Sequence, residues 1–250
     1  MNPSVCSNPA RLRADRLLVE RGLFESRASA QAAIAAGLVT ADGGPVRRAS
    51  DTLPVTARIE AEAPHPYVSR GGVKLAAALD AFAIDPAGLV CLDVGASTGG
   101  FTDVLLRRGA RRVHAIDVGR GQLHPRLAAD PRVDAREAVD VRRLDPLPEA
   151  PALAVIDVSF ISLKLVLPSV LALVAPACTV VALVKPQFEV GRAGLGRGGI
   201  VRDAALREAA RDDLLAFMQS LDLAALGVIP SPIAGGDGNA EFLIGARRDG

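Results

Sequence analysis

From residue 89 to residue 246 the chain alternates short apolar runs of β type with stretches whose apolar residues recur at helical spacing. Residues 89–95, 112–117, 153–157, 179–184, 226–229 and 242–246, with 133–136 as a seventh run, predict strands. Residues 102–108, 165–174 and 204–221 predict helices. Such alternation specifies an α/β fold with a largely parallel, doubly wound sheet. Ligands of such sheets bind beyond the carboxyl ends of the strands, so candidate chemistry is sought there.

A smaller module comes first. Residues 14–21 have helical spacing through Leu17, Leu18 and Arg21, and Gly22 supplies a stop. A second helix runs from the N-cap Ser26 to Ala36, with Gly37 ending it. Residues 38–41 and 46–48 flank Asp42-Gly43-Gly44, a hairpin signal. Ala63-Pro64-His65-Pro66-Tyr67 then interrupts every periodic pattern. It reads as a stiff linker, 64–69, between a first domain over 11–63 and a second over 70–248.

One stretch, 165–184, carries no charge and is long enough to span a bilayer. Pro168 suits a helix's first turn, but Pro176 breaks the run. A short helix, a turn and a strand within a globular core are therefore expected, and no membrane span.

Composition narrows the classes. Hydrophobic residues at 50% and charged ones at 23% place the 250-residue chain among ordinary soluble globular proteins and exclude a disordered or collagen-like one. A net charge of +1 excludes indiscriminate electrostatic binding, so any nucleic-acid contact comes from local patches. Aromatics at 3%, with no Trp, argue against a row of base-stacking rings. Cys6, Cys91 and Cys178 have no paired spacing, and residues 1–10 lack a charged n-region with an apolar h-region. Both readings point to a reducing cytoplasm. His65, His114 and His124 form no ligand cluster with the cysteines, so no metal is expected.

The run Leu92-Asp93-Val94-Gly95-Ala96-Ser97-Thr98-Gly99-Gly100-Phe101 ends a strand in glycines and opens a helix. That is the layout for a tight turn beneath an adenosine-type cofactor. Its G-x-x-x-G-G spacing is not the G-x-G-x-x-G of dinucleotide binders, which sets a nicotinamide dehydrogenase far behind. With no pyrophosphate to cradle, Asp93 can face a cationic ligand, and S-adenosylmethionine carries both a sulfonium and an ammonium. Asp117, ending the second strand, is placed to accept hydrogen bonds from two ribose hydroxyls. A plain loop with carboxylate turn caps is the alternative use of the same residues.

Only Lys74, Lys164 and Lys185 are lysines among 29 basic residues, the rest being arginines. A chain that supplies charge by Arg keeps Lys where a deprotonatable amine is useful, because Arg cannot act as a base near neutrality. Lys185 follows an apolar strand in Val184-Lys185-Pro186-Gln187-Phe188-Glu189, and Asp157 ends a neighbouring one in Ile156-Asp157-Val158-Ser159-Phe160. Lys185 is thus the candidate general base for methyl transfer to a hydroxyl, with Lys74 as a second cation nearby. Asp157 and Glu241 would orient the two amines. Solvated or salt-bridged lysines are the competing reading, and Lys164, which starts a helix after Ser162, is assigned to it.

These residues carry a resemblance. Arg21-Gly22-Leu23 with Ser26-Arg27, Val68-Ser69-Arg70-Gly71-Gly72-Val73-Lys74-Leu75, residues 93–102, Asp117-Val118-Gly119-Arg120-Gly121-Gln122-Leu123, residues 185–191, Gly198-Gly199-Ile200-Val201-Arg202-Asp203 and Gly238-Asn239-Ala240-Glu241-Phe242 match the TlyA family. The chain resembles that family over residues 11–244; its members are called hemolysin A or ribosomal RNA 2′-O-methyltransferase, and their catalytic domain is FtsJ-like. The resemblance implies a Rossmann-like class I methyltransferase with a seven-stranded, mostly parallel sheet, preceded by a small α+β S4-like RNA-binding domain. It maps the family's Lys-Asp-Lys-Glu tetrad onto Lys74, Asp157, Lys185 and Glu241. It implies S-adenosylmethionine contacts from Asp93, Gly95, Ala96, Ser97, Thr98, Gly99, Gly100, Phe101, Asp117 and Asp157, and from Asp140, which stands where the family tends to have Asn. Arg11, Arg13, Arg16, Arg27, Arg47 and Arg48 would supply phosphate contacts in the S4-like module. His65-Pro66-Tyr67-Val68 replaces a family linker that usually carries Arg and Trp before Val.

The expected activity is S-adenosylmethionine-dependent methylation of a ribose 2′-hydroxyl, of cytidine, in ribosomal RNA or ribosomal subunits, with the oligomeric state open. A membrane-active hemolysin and a non-catalytic RNA-binding protein are the alternatives. The first requires a spanning or strongly amphipathic cationic helix; the second has no need of an intact tetrad.

Overall fold

The computed structural model describes residues 10–24, 26–63, 65–191, 194–235 and 238–250. Cys6, the stretch before Ala10 and Pro64 of the linker lie outside them. The chain divides into two compact units between Pro66 and Tyr67.

The first unit contains β1 (Arg11–Arg13), α1 (Ala14–Glu20), α2 (Arg27–Ala35), β2 (Val39–Ala41), β3 (Gly44–Pro45), β4 (Thr52–Pro54) and β5 (Ile59–Ala61). Ser26 caps α2 by accepting from the Ser29 amide at 3.2 Å, and Ser29 Oγ receives the Ser26 amide in return. The hairpin's second arm comes earlier than the sequence suggests, at 44–45 instead of 46–48. Asp42 and Gly43 both take positive φ, which makes a two-residue turn and sets Ala41 opposite Gly44. Leu18, Ala30, Ile34, Val39 and Val46 form this unit's own core.

The second unit begins with α3 (Gly71–Ala81), which the sequence reading did not resolve, followed by β6 (Val90–Val94), α4 (Gly100–Arg107), β7 (Arg112–Ile116), α5 (Pro125–Ala128), β8 (Val133–Arg136) and β9 (Leu153–Ile156). Then come α6 (Leu163–Leu173), β10 (Cys178–Val184), α7 (Pro186–Glu189), α8 (Ala204–Gln219), β11 (Ala224–Pro230) and β12 (Phe242–Arg248). The seven strands form one sheet in the order β11-β12-β10-β9-β6-β7-β8. The five from β10 to β8 run parallel, and β12 lies antiparallel to both β10 and β11. This is the expected mostly parallel α/β sheet.

Its continuous apolar strands are explained by burial on both faces. Along β10, Val180, Ala182 and Val184 enter a core shared with α6 and α8, while Val181 and Leu183 enter another shared with α3 and α4. Each such valine or leucine contributes about 1.5–3 kcal/mol on burial. The uncharged stretch 165–184 is accounted for by α6, a turn at Pro176 and β10. Helix α6 starts two residues before the expected position, so Pro168 falls in its interior and not in its first turn. Two caps set this start: Ser162 Oγ caps the Lys164 amide at 3.2 Å, and the carboxylate of Glu189, from beyond β10, accepts the Leu163 amide at 2.9 Å. Among the described residues no helix is long and apolar enough to cross a membrane.

Candidate active site

Strand register gathers the chemistry at one edge of the sheet. Val184 pairs with Phe242, so Lys185, just past the end of β10, and Glu241, just before β12, are neighbours in that register. Ile156 pairs with both Ala182 and Val94, which puts Asp157 and Gly95 side by side beyond β9 and β6. Asp117 follows β7 on the next strand. Lys74 arrives from α3 and bonds the Glu241 carboxylate.

The four tetrad positions thus form two lysine–carboxylate pairs of different character. Lys74 and Glu241 are only 8% and 5% exposed, a closed pair. Lys185 Nζ lies 2.6 Å from Asp157 Oδ1, an ionic contact without hydrogen-bond alignment, and donates to Ser159 Oγ at 2.8 Å. Asp157 keeps partial access to solvent where Glu241 has almost none, so this second pair is the more open of the two. Lys164, by contrast, pairs with Asp213 on the surface, as the sequence reading assigned it.

Beside Asp157, the glycine turn is shaped by backbone needs. Gly95 has φ +84°, and a Cβ there would run into the Asp157 carbonyl. Gly99 has φ +93°, and a Cβ on Gly100 would strike the Ser69 hydroxyl. Ser97 takes φ 48° and gives its amide to Asp117 Oδ2 at 2.8 Å, while the Gly119 amide binds Asp117 Oδ1 at 2.6 Å. Each Asp117 oxygen therefore has one lone pair engaged and one left for a hydroxyl donor. Ser97 and Thr98 are exposed on the turn, Ala96 and the glycines Gly99 and Gly100 are buried in it, and the Phe101 ring packs in the core. What Phe101 can offer a ligand is its backbone.

Asp93 lies fully buried beneath this turn. Its Oδ2 accepts from Thr102 Oγ1 at 2.6 Å, and its Oδ1 has no partner. Burial, opposed by the Thr102 hydroxyl and reinforced by the charges of Asp157 and Asp117, pushes its pKa up to about 7. An orphaned buried carboxylate oxygen, a turn with no room for side chains and a ribose-type acceptor at Asp117 fit S-adenosylmethionine. A cationic ligand near Asp93 favours its charged form and draws off the proton. Affinity for S-adenosylmethionine is then expected to fall by up to about tenfold per pH unit as pH drops below 7, and to level off above it. Calorimetric titration across pH checks this, with Asp93→Asn expected to remove the dependence.

Several neighbours were not visible to the sequence reading. Phe160, directly after Asp157-Val158-Ser159, is 92% exposed, holds φ 66° and lies with its ring 5.2 Å from that of Phe188. A bulky residue in left-handed backbone is strained, and such strain collects at working sites. The signal available beforehand was an aromatic next to a strand-end acid in a chain with few aromatics. Glu137 accepts the amides of Gly121, Gln122 and Leu123 at 2.7, 2.7 and 3.1 Å, strapping that loop beside Asp117. Those amides hold its carboxyl below the usual range. Glu189, besides capping α6, accepts from Ser162 Oγ at 2.6 Å and so ties the segments after β9 and β10 together.

Asp140 caps a short turn over Val141–Arg143 and is paired with the Arg142 guanidinium at 2.6 Å, which engages the carboxylate implied for adenine. In the first unit the candidate arginines separate by environment. Arg11 donates to the Thr52 carbonyl, Arg16 pairs with exposed Glu20, and Arg13 and Arg27 both bond Asp15. Arg47 and Arg48 are exposed, their amides held by Asp51. Among the described residues no group of three or more His, Cys, Asp or Glu is placed to hold a metal ion.

Comparison with known proteins adds a second line of information. The family model described as FtsJ-like methyltransferase matches residues 67–248, and that of the S4 domain matches residues 12–59. The 16S/23S rRNA (cytidine-2′-O)-methyltransferase TlyA of Mycobacterium tuberculosis is 45% identical over 95% of this chain and 90% of its own length. Hemolysin A of Brachyspira hyodysenteriae is 39% identical over 93% of this chain and 98% of its own. A solved structure from Streptococcus thermophilus, also named for a hemolysin, superposes with a TM-score of 0.75 at 39% identity, covering 96% of this chain and 90% of that one.

Proposed function

The chain belongs to the TlyA family, in which an S4 domain precedes an FtsJ-like methyltransferase domain, and from that premise we propose that it methylates a ribose 2′-hydroxyl of cytidine in ribosomal RNA. S-adenosylmethionine is its methyl donor, and when bound it supplies an electrophilic methyl group on a sulfonium. The cytoplasm, where ribosomes are, is then its place of work.

The observation that carries the reading is the open pair. Lys185 Nζ sits against Asp157 Oδ1, and the Asp157 carbonyl forms the wall of the glycine turn at Gly95. A 2′-hydroxyl admitted to this edge would give its proton to Nζ in its unprotonated form, while the donor's sulfonium would supply the methyl carbon to the hydroxyl oxygen and leave as a neutral thioether. Asp157 offsets the ammonium that results and fixes the amine's direction, while Ser159 Oγ holds a second donor position. The closed pair anchors α3 to the start of β12, keeping Lys74 beside the edge. A nucleotide in folded RNA reaches such a site flipped out of its stack. The exposed face of Phe160 offers it a stacking surface, worth about 1–3 kcal/mol per base. The exposed arginines of the S4 unit hold the RNA elsewhere.

Transfer of labelled methyl from S-adenosylmethionine to isolated small and large ribosomal subunits, followed by nucleoside mass spectrometry, tests the proposal. The expected product is 2′-O-methylcytidine. A base-methylated nucleoside would overturn the chemistry.

A further inference from the structure

The motif from Asp117 to Leu123 carries more than the acid that opens it. Glu137, just past β8, draws the amides of Gly121, Gln122 and Leu123 onto one carboxylate, a loop form that Gly121 permits with φ +61°. That fixes where Gln122 stands. Its side chain lies against Gly119, where an added Cβ would come 2.1 Å from Gln122 Nε2 and 3.0 Å from Asp117 Oδ1. Amide nitrogen and carboxylate oxygen therefore border one small space that only a glycine leaves open. Ser97 Oγ donates to Gln122 Oε1 at 3.1 Å, which occupies the acceptor end of the amide and leaves Nε2 without a partner among the described residues. The residue is exposed, so a ligand can reach it.

A carboxylate can only accept, so a ribose hydroxyl that donates to Asp117 keeps lone pairs with no donor facing them. Gln122 Nε2 supplies one. Resting on the reading that this edge holds S-adenosylmethionine, we propose that Gln122 is a second ribose-binding residue, donating from Nε2 to one hydroxyl oxygen of the cofactor, with Glu137 as its positioning residue. The competing role for the same contacts is loop shape alone. Gln122 would then only tie the loop to the glycine turn, beside the bond from the His124 amide to the Thr98 carbonyl at 3.2 Å. The two roles part on ligand chemistry, because a tie serves every adenosyl ligand equally and a hydroxyl contact serves only those that carry the hydroxyl.

Calorimetric titration of the full chain without RNA, using S-adenosylhomocysteine and its 2′-deoxy and 3′-deoxy forms, reads the difference. Gln122→Ala is expected to weaken S-adenosylhomocysteine about fivefold. With one of the two deoxy forms the same variant should cost less than about twofold, since the oxygen that Nε2 faced is gone, and with the other the full loss persists. Glu137→Gln offers the three amides one acceptor oxygen instead of two and so loosens the loop. It should reproduce the ligand pattern of Gln122→Ala, because it acts through that side chain. In the double variant the two losses should not multiply.

An equal loss on all three ligands by Gln122→Ala, or no loss on any, overturns the ribose contact. A Glu137→Gln variant that binds all three like wild type, or loses affinity for all three alike, overturns its positioning role. Gln122 is exposed on its loop, so the alanine variant leaves the core intact. Because neither RNA nor methyl transfer enters the measurement, its outcome separates from that of the proposed activity. A chain that shows the ligand pattern but transfers no methyl to ribosomal subunits keeps the ribose contact and loses the enzyme reading. A chain that methylates RNA yet loses affinity uniformly does the reverse.

Discussion

Lys185→Ala lowers methyl transfer by about 10³-fold or more and leaves S-adenosylmethionine binding within a few-fold. The separation follows from geometry. Lys185 contacts Asp157 and Ser159, whereas the turn that accepts the cofactor is built by Gly95, Gly99 and Asp117, with Asp93 beneath. Lys185→Arg sharpens the result. It places a fixed positive charge beside Asp157, but a guanidinium takes up no proton near neutrality, so it should be as inactive as the alanine variant. Single-turnover methyl transfer beside calorimetric binding measures both quantities. Recovery of turnover by the arginine variant would show that position 185 acts through charge and would remove proton transfer from its role.

The second large effect is on stability. Glu241→Gln leaves the Lys74 ammonium buried without its counter-charge, at a cost of about 3–5 kcal/mol. For a unit of this size that lowers the unfolding midpoint by on the order of 10 °C. Replacing both partners with apolar residues of similar volume, Lys74→Met with Glu241→Leu, should recover most of the loss, because the buried charge is gone as well. The double variant therefore isolates what the pair does for chemistry from what it does for packing. Calorimetric melting of the three proteins checks the order, and a single variant that melts like wild type would refute the closed-pair description.

The sheet was legible because β6, β9 and β10 are buried on both faces, which leaves uninterrupted apolar runs bounded by turns. Helix α3 was not, since it starts on Gly71-Gly72 and then runs through alanines, giving weak signals of either kind. The two- and three-residue strands of the first unit are held by their pairings and leave no period to read. At the candidate site, the rarity of lysine singled out Lys74 and Lys185, and each of them lies against an acid at the same sheet edge. Which acid meets which amine could not be read, because Lys74 and Glu241 are joined across 167 positions where α3 meets the segment before β12. Glu137 and Glu189 were invisible for the same reason: their function is to bind backbone amides of distant loops.

The segments after β9 and β10 are joined by the contacts of Lys185 with Asp157 and Ser159, by the Phe160 and Phe188 rings and by Glu189 with Ser162 and Leu163. Amine and counter-ion are therefore held in position by the protein's own contacts before any substrate arrives. Reorganisation in the encounter with a substrate falls on the incoming nucleic acid, which must bend to the protein and not the protein to it.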